Sequence, residues 1–243
     1  MQGIIVGCDA NQEWLLPWWW NHYSTCNDYP VVFIDFGMTA KGIAYCHHRG
    51  TCLSLNKVPF VEKIVRSRKK RALWEQRYSA AIWTHRMIYF KKPFALLQSP
   101  FACSLWIDLD CQVLKPLEPL FNCLGLGANI ALCRESEEIQ HLHRKKGLIR
   151  VNEVYYNCGV IAFRKDASIL LRWVQEIEQR NDRYAFDQHA LAKALLVDQT
   201  PLVELPSIFN WSMTQGSNDH AYIQHFHGGL LKSLIPRTEL YYL

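Results

Sequence analysis

No apolar run in this chain approaches the roughly 20 residues needed to span a bilayer as a helix, which excludes a helical integral membrane protein. There is no low-complexity tract, and charged residues make up only 20%, so a disordered chain is excluded as well. Nine cysteines are present, an odd number without a single Cys-x-x-Cys pair. That argues against a disulfide framework and against a thiolate zinc site, and leaves reduced thiols packed in a core, as in a reducing compartment. The opening Met-Gln-Gly-Ile-Ile-Val-Gly-Cys lacks a basic segment followed by a long apolar one. It reads as a strand and not as a signal peptide, which sets the expectation of a cytoplasmic protein. A net charge of +5 over 243 residues is too modest to require nucleic acid, and none is expected as a partner.

What is present is 49% hydrophobic residues, enough for one sizeable core, read as a single domain over 1–243. Short apolar runs at 3–8, 31–35, 105–107, 129–133, 156–163 and 202–206 have the length and composition of buried strands. Residues 45–55 supply a further short one. Helical patterns fall between them: 13–24, one or two helices over 62–91 ending before Pro93, and 166–179. This alternation predicts an α/β fold with a mostly parallel central sheet flanked by helices. Trp18, Trp19 and Trp20 cannot all face one side of a helix, so one or two belong to the core and the rest lie near the surface. Residues 135–147 read as a mobile loop or surface helix. The bases Arg66, Arg68, Lys69, Lys70 and Arg71 fit either a solvated helix face or a contact with an anionic acceptor or membrane surface.

The strand at Leu105-Trp106-Ile107 runs into Asp108-Leu109-Asp110. Burying unpaired carboxylates is too costly to be incidental. In extended backbone, side chains two apart share a face, so both acids would converge while Leu109 turns into the core. At the carboxyl end of a strand in an α/β sheet, such a pair suits a hard divalent cation. A surface turn with two solvated acids is the alternative.

Together with Lys92-Pro-Phe-Ala-Leu, Ser-Pro-Phe and Val113-Leu-Lys-Pro-Leu, this stretch resembles the donor-site segment of GT-A-fold glycosyltransferases, family 8 in particular. In that family a basic residue leads the first acid by about sixteen positions, and 108 − 92 gives 16 here. Tyr156-Asn157-Cys158-Gly159-Val160 is similar to the family's Asn-Ser-Gly-Val strand, with Cys158 in place of Ser. Asp187-Gln188 resembles its Asp-Gln at a helix start. His225-Phe-His227-Gly228 resembles its closing His-x-x-Gly, although Lys232 follows the glycine by four positions instead of three.

The resemblance implies a metal-dependent transferase moving a sugar from a nucleotide diphosphate, UDP-sugar as the donor class, to an acceptor hydroxyl with retention. The acceptor class (saccharide, lipid or protein) is left open, and peripheral membrane contact is compatible. It implies Asp108, Asp110 and His225 as ligands of Mn²⁺ or Mg²⁺, with His227 a competing ligand. Donor contacts fall to Asp9, Asn11, Asp108, Asn157, Gly159, Gly228 and Lys232, with Gly159 admitting close backbone approach. Lys92, Asp187 and Gln188 are the implied catalytic residues, and Lys91 would be the solvated neighbour. A catalytically silent carbohydrate- or nucleotide-binding protein of the same fold remains an alternative, as do a nucleotidyltransferase and a metal-dependent phosphoesterase. The glycine-rich basic N-terminal loop of the nucleotidyltransferases is absent from 3–12, and a phosphoesterase would cluster more acids and histidines early.

Overall fold

A computed structural model describes residues 1–55 and 62–237. Its strands are β1 (Gln2–Cys8), β2 (Val31–Asp35), β3 (Thr51–Ser54), β4 (Cys103–Ile107), β5 (Cys111–Val113), β6 (Ile130–Arg134), β7 (Tyr156–Arg164), β8 (Leu202–Leu205), β9 (Trp211–Ser212) and β10 (Ile223–His225). Its helices are α1 (Leu16–Cys26), α2 (Ala40–His47), α3 (Arg68–Tyr78), α4 (Ile82–Tyr89), α5 (Lys92–Leu97), α6 (Glu118–Cys123), α7 (Glu137–Lys145), α8 (Ser168–Arg180), α9 (Asp187–Asp198) and α10 (Gly229–Lys232). The expected α/β architecture is what forms. A seven-stranded sheet runs in the order β3-β2-β1-β4-β7-β6-β8, with β7 antiparallel to both of its neighbours and the remaining pairs parallel. A small sheet, β5-β10-β9, adjoins it.

The apolar strands are buried on both faces, as central strands of an α/β sheet must be. Their period of two divides them between two cores. Ile4, Val6, Leu105 and Ile107 pack with Leu15, Trp18 and Trp19 on one side, while Ile5, Trp106 and Ile161 pack with Phe94, Leu170 and Trp173 on the other. Trp18 and Trp19 are core and Trp20 is half-buried, as the helix argument requires. Short polar side chains start the helices: Thr39, Ser67 and Ser136 accept from the backbone N–H three residues on, at 3.2–3.3 Å. Residues 135–147 are therefore chiefly a helix, α7. All nine cysteines are free thiols. Among the described residues, no helix is long and apolar enough to cross a membrane.

Two helices, α3 and α4, end before Pro93 as expected, and Pro93 itself opens a further one. It lies in the first turn of α5, where its missing N–H costs nothing, and the chain between α4 and α5 is only a tight turn. Lys92, the first residue of α5, is buried.

The topology places the site. Strand order reverses on either side of β1, with β2 and β4 as its two parallel neighbours, which opens a crevice beyond the carboxyl ends of β1 and β4. Because β7 runs antiparallel, its amino end, Tyr156 to Gly159, arrives at the same edge. There Asp108 donates its backbone N–H to the Gly159 carbonyl at 2.8 Å.

A buried arginine fastens the helices that wall this edge. Arg86 is fully buried on α4. It donates to Glu62 Oε1 at 2.7 Å, to the Asn181 carbonyl and, at 3.1 Å, to the Tyr184 carbonyl, beneath Trp74 and Phe90. Arg86→Met would keep the apolar stem but strip these carbonyls of their charged donor, so unfolding free energy should drop by about 3 kcal/mol. Urea unfolding measures this, and a loss under about 1 kcal/mol would show that the carbonyls find other donors.

Candidate active site

A cavity of about 720 Å³ fills the crevice, within the range of small-ligand sites. Lys92, Asp108, Asp110, Asn157, Gly159, Asp187, Gln188, His225, Gly228 and Lys232 all line it. Residues from 92 to 232 in the sequence thus meet at one place. Asp9 and Asn11 do not line it. Asn11 folds back on Asp9, its backbone N–H and its amide donating to the carboxylate at 3.1 and 3.0 Å, and Gly7, Cys8 and Gln12 form that end of the cavity instead.

The two acids do not share a strand face. β4 ends at Ile107, and Asp108 to Asp110 form a turn closed by the Cys111 N–H donating to the Asp108 carbonyl at 3.0 Å. Leu109 enters the core as expected, but the carboxylates diverge to different cations. Asp108 accepts from Trp106 Nε1 at 2.6 Å and pairs with Lys92 Nζ at 3.0 Å. Asp110 meets His225 Nε2 at 3.3 Å and Lys232 Nζ at 3.0 Å.

Lys92 is buried, with Asp108, the Cys158 carbonyl at 2.9 Å and Asp187 at 3.6 Å around its ammonium. Burial alone would lower its pKa, but Asp108 and Asp187 outweigh that and hold it above the ordinary lysine range. Burial likewise pushes Asp110 up, and Lys232 and His225 reverse this, keeping the carboxyl well below its usual range. Asp187, first residue of α9, is held above the usual range by burial, with Lys92 offsetting part of it. Its Oδ2 is buried without a hydrogen-bond partner. Gln188 donates Nε2 to the Tyr156 carbonyl at 2.9 Å, which fixes its amide at the cavity wall. Lys91 is not a solvated neighbour: it is half-buried and donates to the Phe36 carbonyl at 2.7 Å.

A relay orients His225. Glu135 only accepts, so Asn157 turns Nδ2 toward it at 2.8 Å. Asn157 Oδ1 then accepts from the Gly159 N–H and from Asn210 Nδ2, both at 2.8 Å. Asn210 Oδ1 is left facing His225 Nδ1 at 2.9 Å. Nδ1 therefore carries a proton, and Nε2 is the ring nitrogen that faces Asp110. Asn157 thus spends its amide on the protein. Gly159 has no side chain for a related reason, because a Cβ there would lie inside the His225 ring. The close approach it permits is that of His225, not of a ligand. His227 also lines the cavity, and its Nε2 is engaged 2.6 Å from Ser212 Oγ.

Asp110 and His225, with Cys111 Sγ, present ligand atoms within 4.8 Å of one another. Oxygen and imidazole nitrogen suit Mn²⁺ or Mg²⁺. Burial holds the Cys111 thiol well above its ordinary pKa, so it stays protonated beside them. Asp110 and His225 fit such an ion, whereas the Asp108 carboxylate is already engaged by Lys92 and Trp106.

Sequence reasoning missed Asn210 and a histidine pair of which His143 lines the cavity. His143 Nδ1 and His189 Nε2 are 3.3 Å apart, stacked with Tyr155. Of the basic stretch, Lys70 and Arg71 lie over Trp74 and Trp83, while Arg66, Arg68 and Lys69 are exposed.

This is the fold of the GT-A glycosyltransferases, and the chain resembles family 8. The similar solved structures include the galactosyltransferase LgtC in complex with donor and acceptor sugar analogs, at a TM-score of 0.62 and 16% identity over 94% of this chain and 87% of that one. The glycosyltransferase GlyE of Streptococcus pneumoniae TIGR4 superimposes at 0.61 with 13% identity, over 94% of this chain and 55% of GlyE. Mouse xyloside xylosyltransferase 1 superimposes at 0.56 with 12% identity, over 93% and 97%. No family model and no curated protein matches the chain.

Burial pushes the His143 pKa down to about 4, helped by Arg77 and Lys146, and that of His189 down to about 3, helped by His143. Unfolded, both titrate near 6.5, so the unfolded chain takes up protons first as pH falls. The stability they contribute is whole above pH 6.5 and is lost toward pH 4 and 3. Between pH 7 and pH 5 each should forfeit about 2 kcal/mol. In denaturant titrations at the two pH values, His143→Gln should remove about half of this joint loss. An unchanged pH difference in that variant would mean the pair is not buried neutral.

Proposed function

We propose that this chain is a glycosyltransferase that moves a sugar from a nucleotide diphosphate, UDP-sugar as the donor class, to an acceptor hydroxyl, with Mn²⁺ or Mg²⁺ and with retention. The observation that carries the reading is the pairing of Asp110 and His225 with a separate Lys92–Asp108–Asp187 cluster in one cavity of a glycosyltransferase fold.

Asp110 and the Nε2 of His225 would hold the cation, which supplies positive charge against the departing diphosphate. Lys232, 3.0 Å from Asp110, would add a fixed positive charge beside that cation. Asp187 offers Oδ2, which faces Lys92 at 3.6 Å but has no hydrogen-bond partner, to a sugar hydroxyl. Lys92 holds Asp187 in position through their ion pair. Gln188, tethered through Nε2, presents its amide oxygen to the sugar. Asp108 orients Lys92 and lies beside the cation without being committed to it.

This division predicts unequal acids. Asp110→Asn should weaken UDP affinity in the presence of Mn²⁺ by roughly 100-fold, and Asp108→Asn by no more than about tenfold. Calorimetric titration of UDP, with and without Mn²⁺, measures both. Equal losses would restore the symmetric pair, and no loss in Asp110→Asn would remove the metal site.

A further inference from the structure

The cavity has more charge than the donor reading uses. Lys92 and Lys232 are matched by Asp108, Asp187 and Asp110, and Arg134 pairs with Glu137 at 2.8 Å. Arg77, in the last turn of α3, also lines the cavity, yet among the described residues it has no carboxylate within ion-pair distance. Its Nε is buried without a hydrogen-bond partner. A buried, unsatisfied donor on a permanently charged group is costly unless a ligand completes it.

Its surroundings say what kind of ligand. Arg77 lies beside the ring of Tyr78, whose edge meets Phe186 with centroids 4.5 Å apart, and Tyr89 meets the same ring at 5.2 Å. Phe186 immediately precedes Asp187, so this aromatic wall adjoins the residues read as gripping the transferred sugar. His143, which lines the same cavity, feels the Arg77 charge. An aromatic surface next to a guanidinium suits a ring with apolar C–H faces and one anionic substituent. The diphosphate of a donor is already matched by Asp110, in the turn after β4, with His225 and Lys232 from the closing segment of the chain.

We propose that the acceptor is an anionic saccharide, and that Arg77 receives its carboxylate or phosphate while Tyr78 and Phe186 pack against its ring. This rests on the transferase reading for the word acceptor, but the binding site stands on Arg77 itself. The anion can be a uronate or a sugar phosphate, and the chemistry is shared.

The test is a binding titration of the intact chain, with UDP and Mn²⁺ present and absent. The probes are methyl β-glucoside, methyl β-glucuronide and glucose 6-phosphate, against the parent, Arg77→Gln and Arg77→Lys. The parent should bind one or both anionic sugars at least tenfold tighter than the neutral glucoside, and which one identifies the substituent. Arg77→Gln should level the three, and Arg77→Lys should restore part of the preference. Equal affinities in the parent overturn the proposal, as does a preference that Arg77→Gln leaves intact. A larger loss of UDP than of anionic sugar in Arg77→Gln also overturns it, by giving Arg77 to the donor. If the preference is found where UDP and Mn²⁺ do not bind, the anion site stands and the transferase reading falls. If UDP and Mn²⁺ bind but no sugar is preferred, the reverse holds.

Discussion

One buried ammonium holds the site together. Lys92 joins α5 to the turn after β4 through Asp108, to β7 through the Cys158 carbonyl and to the start of α9 through Asp187. A lysine out of water is tolerable only when opposite charge and hydrogen bonds replace its hydration. Here two carboxylates do so, and each in turn needs the lysine. The arrangement is self-consistent but brittle, because removing Lys92 would leave Asp108 and Asp187 as like charges facing one another.

The second acid is held differently. Asp110 is neutralised from the closing segment, by His225 on β10 and Lys232 on α10, and the Lys232 side chain is 24% exposed where that of Lys92 is 7%. The deep pair fixes the geometry of the cavity floor, and the shallower one can exchange partners. Such a division suits a site in which one carboxylate is structural and the other available to an entering cation. His225 is prepared for that exchange by Glu135, Asn157 and Asn210, whose hydrogen bonds fix its tautomer from 2.8 to 2.9 Å at each step.

The alternation of apolar strands with amphipathic helices was legible from the chain, because central strands and helix faces are written in local periodicity. So were Asp108, Asp110, Asp187 and His225 as residues that belong together. The partners of each were not. Whether Asp108 and Asp110 share a face depends on whether the strand continues past Ile107, and a three-residue turn decides otherwise. Pro93 marks a helix boundary, but that a new helix starts at Lys92 is known only from the fold. Gly159 signals a close approach, but nothing local says that an imidazole 66 residues later makes it (225 − 159). Asn210, Arg77 and the His143–His189 pair carry no local signature at all. Their roles come from contacts across the cavity, which only the assembled sheet defines.

The central claim is that this cavity activates a nucleotide sugar with the help of a divalent cation. Release of UDP from a panel of UDP-sugars, followed with Mn²⁺ and again after chelation, tests it most directly. At least one donor should be turned over with Mn²⁺ and fall to background on chelation. Turnover indifferent to chelation, or no UDP released from any donor although UDP and Mn²⁺ bind, would contradict it.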